Sequence, residues 1–151
     1  MTDSILPYPI NNNSSFTIKV PKFSPHIVVI AIRWLQKLDI DSCTDGGVIE
    51  FSGDNGSTWQ NIFYTPQIRN PNVYNVFGYQ AANVDSLFNN QIGFTGQDST
   101  WKDTWLCFSA SWVATIDTLL LRYSFFSDGI NNNKEGWIID NLNIHHSPCR
   151  P

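Results

Sequence analysis

The sequence predicts an all-β fold, a two-sheet antiparallel β-sandwich, and three observations carry that prediction. Short apolar segments with period-two alternation recur along the chain. Gly, Asn, Asp and Pro punctuate them, and no segment sustains a helical period over three turns. The 151 residues suffice for one domain with a proper core and are too few for two comfortable ones.

The expected strands follow in order. Phe16 to Val20 alternates after the exposed Asn11-Asn12-Asn13 turn. Ile27 to Leu38 contains the longest apolar run, Ile27 to Ile32 and on through Trp34 and Leu35, interrupted by Arg33 and well short of the roughly 20 residues that cross a bilayer. Val48 to Ser52 and Trp59 to Phe63 flank a turn. Ile92 to Thr95, Thr104 to Ser109, Thr118 to Phe126 and Trp137 to Ile144 complete the set, with Asn131-Asn132-Asn133 as another exposed turn. Between Tyr64 and Asn90 the chain reads as one long irregular excursion, although Val73 to Phe77 has strand character. Long loops often carry binding function, so Tyr64, Tyr74, Phe77 and Tyr79 are candidate binding residues. Packing at one end of the sandwich is the alternative role for these rings. Residues 1–26 read as an extension with the first strand, 27–146 as the core and 147–151 as a tail.

Composition limits function. Nine Lys and Arg against thirteen Asp and Glu give a net charge of −4, which disfavours nucleic-acid binding. Charged residues are only 15% and aromatics 14%, so Asn, Ser, Thr and Gln must supply the polar surface, a balance that suits a secreted or cell-surface protein. The amino terminus has no signal-peptide pattern; the chain is cytosolic, processed, or a module of a longer polypeptide. Cys43, Cys107 and Cys149 admit one bridge, such as Cys43 to Cys149 with Cys107 as a buried thiol, or three separate thiols. Sequons at Asn12, Asn13 and Asn55 matter only in a glycosylating source.

The sharpest local motif is Ser52-Gly53-Asp54-Asn55-Gly56-Ser57-Thr58-Trp59, the S-x-D-x-G-x-T-W pattern called the Asp box. Its physics is a hairpin lock: Asp and Asn side chains bond nearby backbone, Gly56 supplies positive φ, and Trp59 folds back over the turn. Sialidase propellers repeat the box in every blade. Here the other Ser-Thr-Trp ending, at Gly96 to Trp101, lacks the Asp and Gly at their required positions, so a propeller is not supported.

In the last strand, alternation places Ile138, Leu142 and Ile144 on one face with Asp140 among them. An inward carboxylate requires a partner. Calcium bridging Asp140 to the cluster Asp39, Asp41 and Asp45 is one remedy, since Ca²⁺ takes six to eight oxygens in irregular geometry; a closed hydrogen-bond network is another. His145-His146 point to opposite strand faces and do not form a soft-metal pair. No catalytic signature motif occurs, and Glu50 and Glu135 lack a supporting context for glycoside chemistry. Trp101, Trp105 and Trp112 flank one strand, where flat rings either bind sugars or pack the core; Trp101 is a candidate binding residue.

The linked order of Asp45-Gly46-Gly47-Val48-Ile49-Glu50-Phe51-Ser52, Gly93-Phe94-Thr95-Gly96, Leu119 to Asp128 and Glu135-Gly136-Trp137-Ile138-Ile139-Asp140-Asn141-Leu142 resembles a bacterial secreted jelly-roll module. It is similar to the non-catalytic domains appended to immune-inhibitor-A-type metallopeptidases and to surface proteins of gliding bacteria, and more distantly to MAM and reelin-type jelly rolls. The resemblance spans about Ile27 to Ile144. It implies a jelly-roll-like sandwich, carbohydrate-binding or adhesion function and, in several relatives, calcium beside the final-strand Asp, here Asp140. The chain departs in having Asn141 where a second Asp is common, and in the Tyr64 to Asn90 insertion. The expectation is a non-enzymatic module recognising glycan or protein through loop aromatics, without membrane insertion. The alternative is a structural subunit that self-assembles by strand addition from the segment Ile5 to Phe16.

Overall fold

The structure, a computed structural model, describes residues 6–21, 30–64, 68–75 and 83–145, with positions 21, 68–75 and 110 described at the backbone only. The strands are β1 (Asn13–Pro21), β2 (Ile30–Asp39), β3 (Gly46–Ser52), β4 (Gln60–Asn61), β5 (Ile68–Asn75), β6 (Val84–Ser86), β7 (Ile92–Phe94), β8 (Gln97–Phe108), β9 (Thr118–Phe126) and β10 (Gly136–His145). One short helix, α1 (Ala110–Val113), separates β8 from β9. β1-β9-β3-β7-β6 form one sheet, with β4 attached to β3, and β10-β2-β8-β5 form the other; every pairing is antiparallel. The chain passes back and forth between the sheets, from β1 to β2 to β3, then β5, β7, β8, β9 and β10, as in a jelly roll. The predicted two-sheet sandwich is the architecture observed.

Period-two alternation builds the core. In β2 the even-numbered residues Ile30, Ile32, Trp34, Gln36 and Leu38 are buried, while Arg33, Leu35, Lys37 and Asp39 are partly exposed. Thr104, Leu106 and Phe108 of β8 stand opposite Trp34, Ile32 and Ile30, and Leu119, Leu121 and Tyr123 close the interior from β9. Each fully buried side chain of this size contributes about 1.5–3 kcal/mol. Aromatic edges meet ring faces throughout: Trp34 against Tyr123 and Phe94, and Phe51 against Phe108 and Trp112.

Buried indoles need acceptors, and Gln36 supplies one. Its Oε1 accepts Nε1–H from Trp34 at 2.8 Å and from Trp137 at 3.1 Å. The Trp137 ring lies against Gly47, where a Cβ would overlap it, so the close approach requires glycine. The Tyr123 hydroxyl is buried without a hydrogen-bond partner among the described residues, and burial raises its pKa.

The chain's abundant asparagine also has a backbone role. Asn11, Asn55, Asn90, Asn133 and Asn141 occupy positive φ, which asparagine tolerates better than most residues with a Cβ.

The carboxylate with no solvent exposure is Asp45, at 0%. Oδ2 accepts the Tyr8 hydroxyl at 2.7 Å and Oδ1 accepts the Asp128 amide at 2.8 Å. Thr95 Oγ1 donates to the Asp45 carbonyl at 2.7 Å and receives the Cys43 amide at 3.1 Å. Tyr8 anchors the N-terminal segment to its own chain: its amide donates to the Lys134 carbonyl, Asn11 N–H donates to the Asp128 carbonyl, and Ser127 Oγ donates to the Pro9 carbonyl. Burial raises the Asp45 pKa, with Asp128 and Asp41 adding repulsion, against the lowering effect of the Tyr8 and Asp128 hydrogen bonds.

Four sequence expectations need correction. Asp140 is exposed, because the ladder with β2 shifts between Asp140 and Asn143, where Asn141 adopts φ 53°. This bulge reverses the phase of alternation, so Trp137, Ile139, Leu142 and Ile144 pack on the core while Asp140 faces out opposite Leu35. The Tyr64 to Asn90 stretch is not one loop, since it contains β5 and β6. Gln97 to Asp103, expected as a connection, belongs to β8. Cys43 is a free, exposed thiol and the buried Cys107 is disulfide-bonded, which excludes a Cys43 to Cys149 bridge; Cys149 lies outside the described residues.

Two measurements test this interior. Gln36→Leu strands two indole N–H groups and lowers unfolding free energy by about 2 kcal/mol in chemical denaturation. The raised folded-state pKa of Asp45 gives a stabilising increment that is fully present below about pH 4 and is lost as pH rises through the folded value. Asp45→Asn abolishes that titration, so the stability difference between wild type and variant shifts in favour of wild type as pH falls from about 7 to 4.

Candidate binding face

The outer face of the β10-β2-β8-β5 sheet gathers side chains that the core does not use. Register places Arg33 opposite Trp105, and Leu35 between Asp103 on β8 and Asp140 on β10. Arg33 grips Asp103 bidentately, Nε to Oδ1 at 2.8 Å and NH2 to Oδ2 at 2.6 Å, and this bond holds the guanidinium charged. The same guanidinium lies 5.4 Å from the Trp105 ring centroid, and His145 packs on Trp105 at 5.1 Å. This end of the face is closed by its own contacts.

The other end is open. Trp101 is 45% exposed, and the Lys37 ammonium lies 5.6 Å from its ring centroid. Trp101 shares the outward parity of Asp103 and Trp105 on β8 and lies within a second bulge: Gln36 and Leu38 on β2 pair with Lys102 and Asp98 on β8, so the two steps on one strand face four on the other. Asp98 stabilises the protruding segment by accepting the Thr100 amide at 3.1 Å and hydroxyl at 2.8 Å, and by pairing with Lys102 at 3.5 Å.

The opposite outer face, on the six-stranded sheet, is satisfied internally. In the Ser52 to Trp59 turn, Ser52 Oγ donates to Asp54 Oδ1 at 2.7 Å, and Thr58 donates its amide to Oδ1 at 2.9 Å and its hydroxyl to Oδ2 at 2.6 Å. The Thr58 bonds, reinforced by Ser52, depress the Asp54 pKa to about 2. Gly56, at φ 90°, donates its amide to Ser52 Oγ at 2.8 Å. Trp59 then covers Arg122, whose guanidinium carbon sits 4.1 Å from the ring centroid while NH2 bonds Glu50 at 2.6 Å.

The acidic residues proposed as calcium ligands do not converge. Gly136 stands opposite Asp39 and Asp140 opposite Leu35, and those four strand steps separate Asp140 from Asp39 by about 13 Å. Asp39 is occupied by Gln97, Lys134 and the Glu135 amide, Asp41 by Asn132, and Asp45 by Tyr8 and Asp128. These carboxylates are already answered by protein donors and do not fit one ion. Among the described residues no group of three or more His, Cys, Asp or Glu is arranged to hold a metal.

Of the candidate binding aromatics, Tyr64 is 61% exposed after β4, far along the chain from the Trp101 face. Tyr74 pairs with Trp105 through the backbone of β5. Phe77 and Tyr79 lie outside the described residues. Sequence reasoning singled out Trp101 and missed its companions Lys37, Arg33 and Asp103. For Lys37 and Arg33 the signal was the odd-numbered polar set of the long strand, which reads as interruption of an apolar run until both faces of the strand are considered; Asp103 lies on β8 and joins them only through register.

No family model, curated protein or solved structure matches the chain.

The turn lock yields a test. Because the folded pKa of Asp54 lies below its unfolded value, its contribution is present above about pH 4 and is lost as pH falls through about 2. Asp54→Asn therefore lowers Tm at neutral pH, and the deficit shrinks in thermal melts recorded at progressively more acid pH.

Proposed function

We propose that the chain is a non-catalytic binding module, secreted or displayed at a cell surface, that recognises a glycan through the outer face of its four-stranded sheet. The observation that carries this reading is the exposed Trp101 ring, on the outward parity of β8 beside donors and acceptors already ordered on the strands. An aromatic plane offers sugar C–H groups a large contact at low entropy cost, and neighbouring polar groups meet the hydroxyls. Leu35 and Asp140 continue the face toward β10.

Other features support the same reading. Glu50 lies on β3 and is held by Arg122, while Glu135 lies in the connection before β10 of the other sheet, which is poor geometry for paired-carboxylate hydrolysis. A disulfide at Cys107 suits an oxidising compartment. The motif order shared with secreted jelly-roll modules points the same way. Self-assembly by the N-terminal segment is disfavoured, since Tyr8 commits that segment to its own chain and the β10 edge is interrupted by its bulge.

Intrinsic tryptophan fluorescence and calorimetric titration against a panel of soluble polysaccharides test the proposal. Trp101→Ala is expected to weaken glycan binding by about tenfold or more, with an unchanged melting temperature, while Tyr64→Ala leaves it intact. Binding that survives Trp101→Ala and fails in Tyr64→Ala would move recognition to the β4 side.

A further inference from the structure

We propose that the glycan recognised on this face carries a carboxylate, so that the ligand is a uronic-acid-containing polysaccharide, with Trp101 as the stacking surface and Lys37 as the counter-ion. The inference rests on the reading of the outer sheet face as a glycan site and specifies its ligand class.

Charge accounting on the strands carries it. Arg33 pairs with Asp103, Lys102 with Asp98, Arg122 with Glu50 and Lys134 with Asp39. Lys37 forms no ion pair among the described residues, yet it sits at the open end of the candidate face with its ammonium over Trp101. Cation–π contact holds the charge near the ring before any ligand arrives, which reduces the ordering cost of using it. A sugar stacked on Trp101 brings its exocyclic carboxylate within reach of that ammonium, and the resulting charge-assisted hydrogen bond is one a neutral sugar cannot make.

The same accounting limits how anionic the ligand is. Arg33, the residue whose fork suits phosphate or sulfate, already has both arms on Asp103. Asp103 and Asp140 flank Leu35 on the adjacent row, and the whole chain carries −4. One available ammonium among these carboxylates matches a singly charged uronate set among neutral sugars and disfavours a densely sulfated chain. Asp140, exposed and engaged by the Asn141 amide at 2.7 Å, remains an acceptor for hydroxyls of the neighbouring sugar.

The experiment compares glucuronoxylan, hyaluronan and alginate with their carboxyl-reduced forms, in which each uronate becomes a neutral primary alcohol. Binding to the full chain is measured by calorimetry at low and moderate salt. The expected result is preference for at least one native uronate polymer over its reduced form. Lys37→Met, which keeps an unbranched side chain and removes the charge, reduces that affinity by about fivefold and reduces affinity for the carboxyl-reduced form by clearly less, and Lys37→Arg restores it. Equal affinity for native and reduced polymers, lost in Trp101→Ala, overturns the uronate inference and leaves the glycan site standing. Failure of every polymer to bind overturns both.

Discussion

Asp45 occupies the junction where the β2–β3 loop, the N-terminal segment and the β9–β10 connection meet. A carboxylate removed from water there is tolerable only if donors surround it, and the donors come from distant parts of the chain: the Tyr8 hydroxyl and the Asp128 amide. Satisfying one side chain therefore fixes the paths of separate segments. Thr95 extends the arrangement through the Asp45 carbonyl to the start of β8. The sheets supply most of the burial energy, while this polar junction specifies how their connections close at one end.

The sequence made the sandwich legible because alternation is a local property. Thr118–Phe126 alternates buried and partly exposed residues as far as Tyr123, and its limits were predicted as they are found. The same logic misplaced Asp140, because Ile138, Leu142 and Ile144 share parity while the bulge at Asn141 makes parity meaningless across it. Asp45 had the opposite problem. Beside two glycines in an acidic turn it resembles a solvated residue, and its burial depends on Tyr8, 37 positions away. The requirement for an answered inward carboxylate was sound; its location depended on contacts that no local pattern encodes. β5 was anticipated only through the strand character of Val73 to Phe77, since Pro71 and the surrounding asparagines read as loop while its pairing is set by β8; the three-residue β6, paired to β7, was not anticipated.

The outer faces divide their chemistry unequally. On the six-stranded sheet, Arg122 finds both a ring and a carboxylate within the protein, so aromatic, cation and anion satisfy one another. On the four-stranded sheet Arg33 reaches the same closure with Trp105 and Asp103. Lys37 and Trp101 repeat the first two members of that trio and, among the described residues, omit the third. The candidate site was partly legible, because Trp101 could be singled out from sequence, whereas its relation to Lys37 depends on register across two strands.

The extra residues of β8 between Asp98 and Lys102 stand outside the regular ladder, yet the strand rejoins it with Thr104, Leu106 and Phe108 in phase with the interior. Substitutions or a change of length in that protrusion alter what the protein presents to its surroundings without moving a single core residue out of register. The surface beside Trp101 can thus vary among descendants of this chain while folding remains under separate constraint.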